Sequence, residues 1–406
     1  VKILYLHQYF TTRDMPGGTR SYEMARRLVE WGHEVHVVTS WRKPTEHTDW
    51  FHEVVDGVHV HWLPVPYENA MGFWRRLQAF ARFALAAGFQ AASIGGDLVF
   101  ATSTPLTIAL PGALASWRLG VPMVFEVRDL WPDVPIAMGY LRHPVTKALA
   151  RGLERFAYRR SARVVALSEG MADGVVAAGY PRERVTVIPN SADLELFAPS
   201  DEGAQRFRRE HPELGDGPLV LYAGALGRAN GVTYLARLAA GLRPLRPDVR
   251  FVVVGEGAEA ELIRDTARQL GVLGQTFFQY PPMAKRTLVD AFRAATVVTS
   301  LFIDEPALRA NSANKFFDAL ASASPVAINY QGWQAKLLAE TGAGVVLDAD
   351  PRAAVLPLKA LLESPERLAE CGARARRLAE ERFARDTLAR ALERVLRTAA
   401  RGEGDA

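Results

Sequence analysis

Short apolar, β-branched runs alternate with longer stretches of helical periodicity along almost the whole chain, the pattern of βαβ units that close into parallel sheets. In the first half, strands are predicted at Ile3–Leu6, Glu34–Thr39, Val58–Leu63, Leu98–Ala101, Met123–Val127, Val164–Leu167 and Val185–Ile188. Residues 190–217 turn polar and proline-bearing, and the pattern then restarts with Leu219–Ala223, Phe251–Val254, Thr276–Gln279, Thr296–Leu301, Val326–Ile328 and Gly344–Leu347. The expected fold class is α/β with two doubly wound domains, residues 1–195 and 218–380. A linker is expected over 196–217 and a C-terminal helix and tail over 381–406. In open sheets of this type ligands bind beyond the carboxyl ends of the strands, so the loops after these runs are where chemistry is expected.

Composition narrows the class. The chain has 406 residues, 49% hydrophobic and 23% charged, which suits two globular domains. A net charge of +4, carried mainly by scattered arginines, favours anionic ligands or lipid surfaces over nucleic acid, and no aromatic-interleaved basic motif or zinc-finger spacing occurs. The single cysteine, Cys371, forbids intrachain disulfides and fits a reducing, cytoplasmic compartment. The chain opens on the strand pattern Val1–Leu6, so no signal peptide is expected, and the apolar stretch Phe83–Ile94 falls short of a membrane span. The segment Phe73–Phe83 mixes aromatics and arginines at helical spacing. It suits peripheral contact with a membrane, and equally a core-packing helix with a basic outer face.

The most informative stretch is Ala310–Asp318, where a strand gives way to a short loop and a helix. Asn311 and Ser312 are good caps, which puts Lys315 in the first helical turn, where the macrodipole disfavours a cation. An anion would remove that conflict. Asp318 follows on the same face, so the loop amides and the ammonium can hold a diphosphate while the carboxylate accepts from a ribose diol. An ordinary Lys315–Asp318 surface pair accounts for the same residues.

Other strand-end loops carry candidates. Pro16-Gly17-Gly18 precedes Arg20 and a helix over about Tyr22–Trp31, but it lacks both the dinucleotide fingerprint and the P-loop lysine. Phe125–Pro132 delivers Glu126, Arg128 and Asp129 where a strand runs out, as site residues or as a structural network. Thr102-Ser103-Thr104-Pro105 adds hydroxyls that also suit capping. In the second half, Tyr222–Gly231 is glycine-rich with Arg228 and Asn230, and Gly255-Glu256-Gly257 and Tyr280–Met283 follow two further strands. Two motifs are discounted: Asp348-Ala349-Asp350 reads as a turn before Pro351, and His59 and His61 share a strand face with no third metal ligand apparent nearby.

In order along the chain, Pro16-Gly17-Gly18, Glu126–Pro132, Ile188–Asp193 and Asn314–Ala321 resemble the motifs of family 4 retaining glycosyltransferases of the GT-B fold. Among these the chain is most similar to bacterial O-antigen N-acetylfucosaminyl transferase type enzymes. The resemblance implies two Rossmann-like domains facing a central cleft and a nucleotide-diphospho-sugar donor, UDP-linked, with an N-acetylated deoxy- or aminosugar. It implies a polyprenyl-diphosphate-linked glycan as acceptor and no bound metal or other cofactor, with the enzyme cytoplasmic or on the inner face of the cell membrane. Without metal, the leaving diphosphate is stabilised by side-chain cations and loop amides.

On that basis Glu126, Arg128, Asp129 and Lys315 are expected to be catalytic. His7, Arg20 and Ser103 are placed on the acceptor side. Donor contacts are expected from Gly17, Gly18, Gly224, Arg228, Asn230, Gly255, Tyr280, Met283, Ser312, Asn314, Lys315 and Asp318. Three departures stand out. Ala310 replaces the first glutamate of the family's spaced pair, Ala225 and Asn230 replace two phosphate-loop cations, and the family's N-domain histidine has no obvious counterpart where the chain reads Glu126–Asp129, leaving His7 as a substitute. A nucleotide-sugar 2-epimerase of the same fold, or a non-catalytic nucleotide-sugar-binding partner, remains open.

Overall fold

The structure, a computed structural model, describes residues 1–13, 15, 18–65 and 73–402, with backbone alone over 73–81. Its contacts divide it into two units, Val1–Pro189 with Asp386–Ala406, and Asn190–Arg385.

The first unit is built on eight strands: β1 (Lys2–Leu6), β2 (Glu34–Trp41), β3 (Phe51–Val55), β4 (Val58–Pro64), β5 (Leu98–Thr102), β6 (Met123–Val127), β7 (Arg163–Ala166) and β8 (Val185–Val187). They lie in the order β3-β4-β2-β1-β5-β6-β7-β8, all parallel except β3 against β4. Strand β3 is absent from the sequence expectation. Its signal is the Asp56-Gly57 pair: both residues have positive φ (48° and 78°), and Val55 pairs with Val58 across the two-residue hairpin turn that such a dipeptide favours. Chain order reverses at β1, which has β2 on one side and β5 on the other, so the loops after β1 and β5 flank the topological switch point.

The second unit has six parallel strands: β9 (Leu219–Ala223), β10 (Arg250–Val254), β11 (Phe277–Tyr280), β12 (Val297–Ser300), β13 (Val326–Ile328) and β14 (Gly344–Val346). Their order, β11-β10-β9-β12-β13-β14, puts its switch point between β9 and β12. Both faces are covered. Leu219, Leu221, Val252 and Val254 pack with Phe316, Phe317 and Leu320. The alternate residues Val220, Tyr222, Phe251 and Val253 pack with Leu235, Leu238 and Leu358. Burial on both faces explains why these strands read as continuous apolar runs.

The unit boundaries differ from the expected ones, for reasons visible in the packing. Segment 196–217 is no linker: the helix Asp201–Glu210 buries Phe207 in the second unit's core, and Arg206 pairs with buried Asp290 on the helix Lys285–Ala294. The final helix, Arg385–Arg401, returns to the first unit, where Leu388, Leu392 and Leu396 join Ile3, Tyr5, Val35 and Val37 in one core.

His59 and His61 are also less isolated than expected. Strand pairing brings His36 of β2 and His52 of β3 to the same face. His36 Nδ1 lies 3.0 Å from His61 Nε2 and His52 Nε2 lies 3.2 Å from His59 Nδ1, while Glu34 and Lys2 border the group. The rings stack, with His36–His59 centroids 4.6 Å apart. Burial, then the imidazoles of His52, His36 and His59, pull His61 down to about 4, and burial also lowers His36. A histidine lowered in the folded state binds its proton more readily once unfolded, so its contribution is lost as pH falls from 6.5 towards 4. Melting followed across that window is therefore expected to show a loss of at most about 3 kcal/mol from His61. His61→Gln should flatten the profile, and an unchanged profile would contradict this account.

Candidate functional site

In the second unit the loops after β9 and β10 interlock backbone to backbone. Gly224 and Gly255 have φ of +153° and +154°, and a Cβ on Gly255 would lie 1.9 Å from the Gly224 carbonyl oxygen. A Cβ on Gly257 would lie 2.5 Å from the Leu226 oxygen. The Gly224 N–H donates to Val254 O at 3.0 Å, and the Gly255 N–H to Tyr280 O at 3.1 Å. Only glycine permits this approach, and it leaves a crest of bare backbone at the strand ends.

Lys315 lies against that crest. A Cβ on Gly224 would be 2.9 Å from Lys315 Cε. The ammonium donates to Tyr222 Oη at 2.9 Å, and that hydroxyl donates on to Ala225 O at 2.8 Å. Nζ also lies 4.4 Å from the Tyr222 ring centroid and 5.7 Å from that of Phe302, within cation–π reach of both. No carboxylate pairs with it among the described residues. Burial alone lowers Lys315 from its ordinary 10.5 to about 7.

The alternative of a Lys315–Asp318 ion pair does not form. The two half-buried side chains have different neighbours, Tyr222 for Lys315 and the charges of Arg385 and Asp193 for Asp318. Asp318 lies towards Asp193 and Arg385, which are themselves paired at 2.9 Å. Burial raises its carboxyl to about 7; Arg385 opposes that shift and Asp193 adds to it. An acid and a base whose ordinary values differ widely are thus brought to the same range by removal from water. That arrangement marks a place where a ligand is expected to supply the missing partners.

The helix Asn314–Ala321 begins without a side-chain cap, since Ala313 occupies the cap position. The expected caps act elsewhere. Asn311 Oδ1 accepts from the Ala313 N–H within the loop, and Ser312 Oγ accepts from the Asn190 N–H at 3.1 Å. Ser312 is therefore a buried brace for residue 190 rather than an open donor contact. Asn314, Arg228, Asn230 and Met283 stand at least partly open at the strand ends. Tyr280 has its hydroxyl committed to Glu213 and its ring against His211. Asp348 and Asp350 form a turn, the Asp350 N–H donating to Asp348 Oδ1 at 2.8 Å, with Arg352 paired to Asp350.

In the first unit the ends of β1, β5 and β6 converge. The Arg128 N–H donates to Ser103 Oγ at 3.0 Å, and Arg128 Nη1 lies 3.4 Å from Nε2 of buried His7. Thr104 donates to Asp129 at 3.0 Å. Burial, then Arg128 and Arg42, hold His7 well below its ordinary value, so its imidazole is neutral, and Nδ1 is buried without a hydrogen-bond partner among the described residues. Thr104 belongs to the hydroxyl-bearing loop expected there, whereas Arg42 is absent from the sequence expectation. It reaches His7 only through the β1–β2 pairing. Gly18 accepts from Thr11 at 2.9 Å, and Gly17 lies outside the described residues.

Glu126 and Arg20 do not join this cluster. Their side chains are 0% and 2% exposed. Glu126 Oε1 accepts from Arg20 Nε (3.1 Å) and Nη2 (2.9 Å), and Oε2 accepts from Thr102 (2.6 Å). Arg20 further donates to the carbonyls of Ile188 and Pro189. Burial raises the carboxyl of Glu126, but Arg20, Arg128 and these hydrogen bonds outweigh it and hold it below the usual range. Glu126 lies within β6, which is buried on both faces, whereas Asp129 follows the end of that strand and is exposed.

Two Rossmann-like units, each built on a mainly parallel sheet, define the GT-B class, and solved structures agree. Sucrose-phosphate synthase from Thermosynechococcus elongatus superposes with a TM-score of 0.80 at 16% identity, covering 99% of this chain and 100% of that one. Anabaena HepE in complex with UDP and glucose gives 0.73 at 18% identity, covering 98% and 99%. Residues 17–191 match the glycosyl transferase 4-like domain and residues 204–378 match glycosyl transferases group 1. A D-inositol 3-phosphate glycosyltransferase of Xylanimonas cellulosilytica is 31% identical over 293 residues, 69% of this chain and 67% of the relative. The chain belongs to the family 4, group 1 glycosyltransferases.

Removing one partner of a buried pair leaves an uncompensated charge, at a cost of roughly 3–5 kcal/mol. Glu126→Gln is accordingly expected to lower the unfolding free energy extrapolated from a urea titration by that amount, whereas Asp129→Asn changes stability by less than about 0.5 kcal/mol. If Glu126→Gln kept full stability and lost only turnover, Glu126 would act on substrate instead.

Proposed function

We propose that this glycosyltransferase takes its sugar from a nucleoside diphosphate, with UDP as the nucleotide, and transfers it with retention of configuration, without a metal or other cofactor. The observation that carries the reading is Lys315: an ammonium against a glycine crest, lowered by burial and held only by a tyrosine hydroxyl and aromatic rings among the described residues. A diphosphate supplies the anion it lacks, and ribose hydroxyls supply donors to Asp318. The complex of HepE with UDP and glucose supports this choice of donor.

In the reaction proposed, the bond from the anomeric carbon to the diphosphate breaks as the bond to the acceptor oxygen forms on the same face. The acceptor proton passes to a departing phosphate oxygen, and Lys315 stabilises the negative charge that develops there. No carboxylate nucleophile is required. His7, Ser103, Arg128 and Asp129 orient the acceptor, which we take to be a polyprenyl-diphosphate-linked glycan of surface polysaccharide synthesis, with an N-acetylated deoxysugar as donor sugar. A second reading, a small phosphorylated polyol, is favoured by the two arginines near His7 and by the description of the Xylanimonas relative. A donor and acceptor panel decides between them. Epimer formed without acceptor, or binding without turnover, would reject transfer altogether, and loss of activity in EDTA would reject metal independence.

Proton counting tests the donor site. At pH 8 free Lys315 is largely neutral, and a bound diphosphate raises it, so UDP binding takes up a proton. At pH 6 free Asp318 is largely protonated, and ribose hydroxyls lower it, so binding releases one. Calorimetry in buffers of different ionisation heat is expected to show this change of sign. Lys315→Ala should abolish the uptake and reduce kcat/KM by about 10²–10³. Unchanged UDP affinity in both Lys315→Ala and Asp318→Ala would overturn the assignment.

A further inference from the structure

The large aromatic side chains that stand exposed among the described residues are Phe89, Trp117 and Tyr140, all in the first unit. Trp117 is 73% exposed. Exposed aliphatic residues join them: Leu85 on the helix Phe73–Ile94, Leu110 on Ala109–Leu119, and Val145 and Leu149 on Pro144–Arg159. These helices are neighbours. Gly88 of the first comes so close to the second that a Cβ there would lie 2.8 Å from Leu114 Cδ2, and the second touches the third. Across the first seam the Arg118 guanidinium sits 5.4 Å over the Phe89 ring. Tyr140 lies on the loop leading into the third helix.

Charge on this layer has one sign. Over residues 82–94, 109–119 and 144–159 the basic residues are Arg82, Arg118, Lys147, Arg151, Arg155 and Arg159, against one acid, Glu154. Glu154 is buried, and burial raises it to about 7. Arg151 pairs with Asp133 at 2.9 Å. The other five basic residues form no ion pair with a carboxylate among the described residues. In the second unit the exposed large hydrophobics are Leu245, Leu262, Leu270 and Leu356, with no aromatic among them, and Arg264 and Arg268 beside them are paired with Glu261 and Asp265.

We propose that this three-helix layer docks on the surface of an anionic lipid bilayer, the aromatic and leucine side chains entering the interface and the arginines meeting lipid phosphates. Charge complementarity selects this occupant over a second copy of the chain: two such layers would repel, whereas a bilayer offers apolar depth beneath a negative plane. Tryptophan and tyrosine suit that boundary because each presents an apolar body and a polar tip. The expectation of membrane contact at Phe73–Phe83 falls mostly on side chains outside the described residues, and Phe83 itself is buried. The surface assigned here lies further along that helix and on its two neighbours. No described helix is long and apolar enough to cross a membrane, so the contact is peripheral. This inference does not rest on the proposed reaction, because vesicle binding is read without turnover.

Co-sedimentation of the full chain with phosphatidylcholine vesicles, with and without phosphatidylglycerol, tests it. Binding is expected only to the anionic vesicles at low salt, with a blue shift of tryptophan emission that Trp117→Phe removes. The pair Arg118→Glu and Arg155→Glu should lower the partition coefficient by at least about tenfold, since each basic residue near the surface contributes on the order of 1 kcal/mol. Reversal of exposed Arg264 and Arg268 in the second unit should leave it unchanged. Circular dichroism confirms that each variant is folded. Absence of binding at low salt, equal loss from both pairs, or reversible dimerisation abolished by Trp117→Ala would overturn the proposal.

Discussion

Arg20 and Glu126 form the contact on which the first unit's arrangement depends. A guanidinium at the start of one helix meets a carboxylate on β6 inside the core, and its remaining donors close on the two carbonyls where the chain leaves the unit. Neither charge has access to water, so the ends of β6 and β8 and the first helix are held in one register by groups that cannot be separated cheaply. The strand ends that gather His7, Ser103 and Arg128 are positioned by that pair without including it. A carboxylate near a cluster of functional groups can thus be the frame of a site rather than a member of it.

The second unit uses a different device to comparable effect. There, backbone meets backbone at Gly224 and Gly255, and the crest is shaped by the absence of side chains. The lysine beside it is costly for the free protein to keep charged, and the nearby aspartate is costly to keep ionised. Stability is forgone locally at residues whose ordinary charge states return when a suitable ligand supplies an anion and hydrogen-bond donors. A surface ion pair would have removed that cost.

What was legible in the sequence followed local periodicity. Parallel strands buried on both faces write themselves as apolar runs, glycine-rich turns mark their ends, and Lys315 stands out against the helix dipole within a few residues of its own context. What was not legible depends on pairing across distance. Glu126 looks like a site residue until Arg20, more than a hundred positions away, is seen to occupy it. His59 and His61 look like two histidines until β2 and β3 bring two more. Segment 196–217 reads as a linker because it is polar overall, while its few apolar residues, Phe197, Phe207 and Leu214, are buried in the second unit's core. The hairpin turn at Asp56-Gly57 is the exception, a local signal that goes unused when strands are sought by apolar runs alone.

The last helix gives the chain an unusual order of assembly. Leu388, Leu392 and Leu396 form one wall of the core that begins with Ile3 and Tyr5. Residues 1–189 therefore leave the ribosome with that wall missing, while residues 190–385 are continuous and carry all of their own core. This connectivity works against the usual sequence, in which the N-terminal domain folds first during synthesis. The second unit can be complete while the first still waits, with apolar strand surface uncovered, for the closing helix to arrive. Loss of that helix would strike the unit made before it, rather than the one it directly follows.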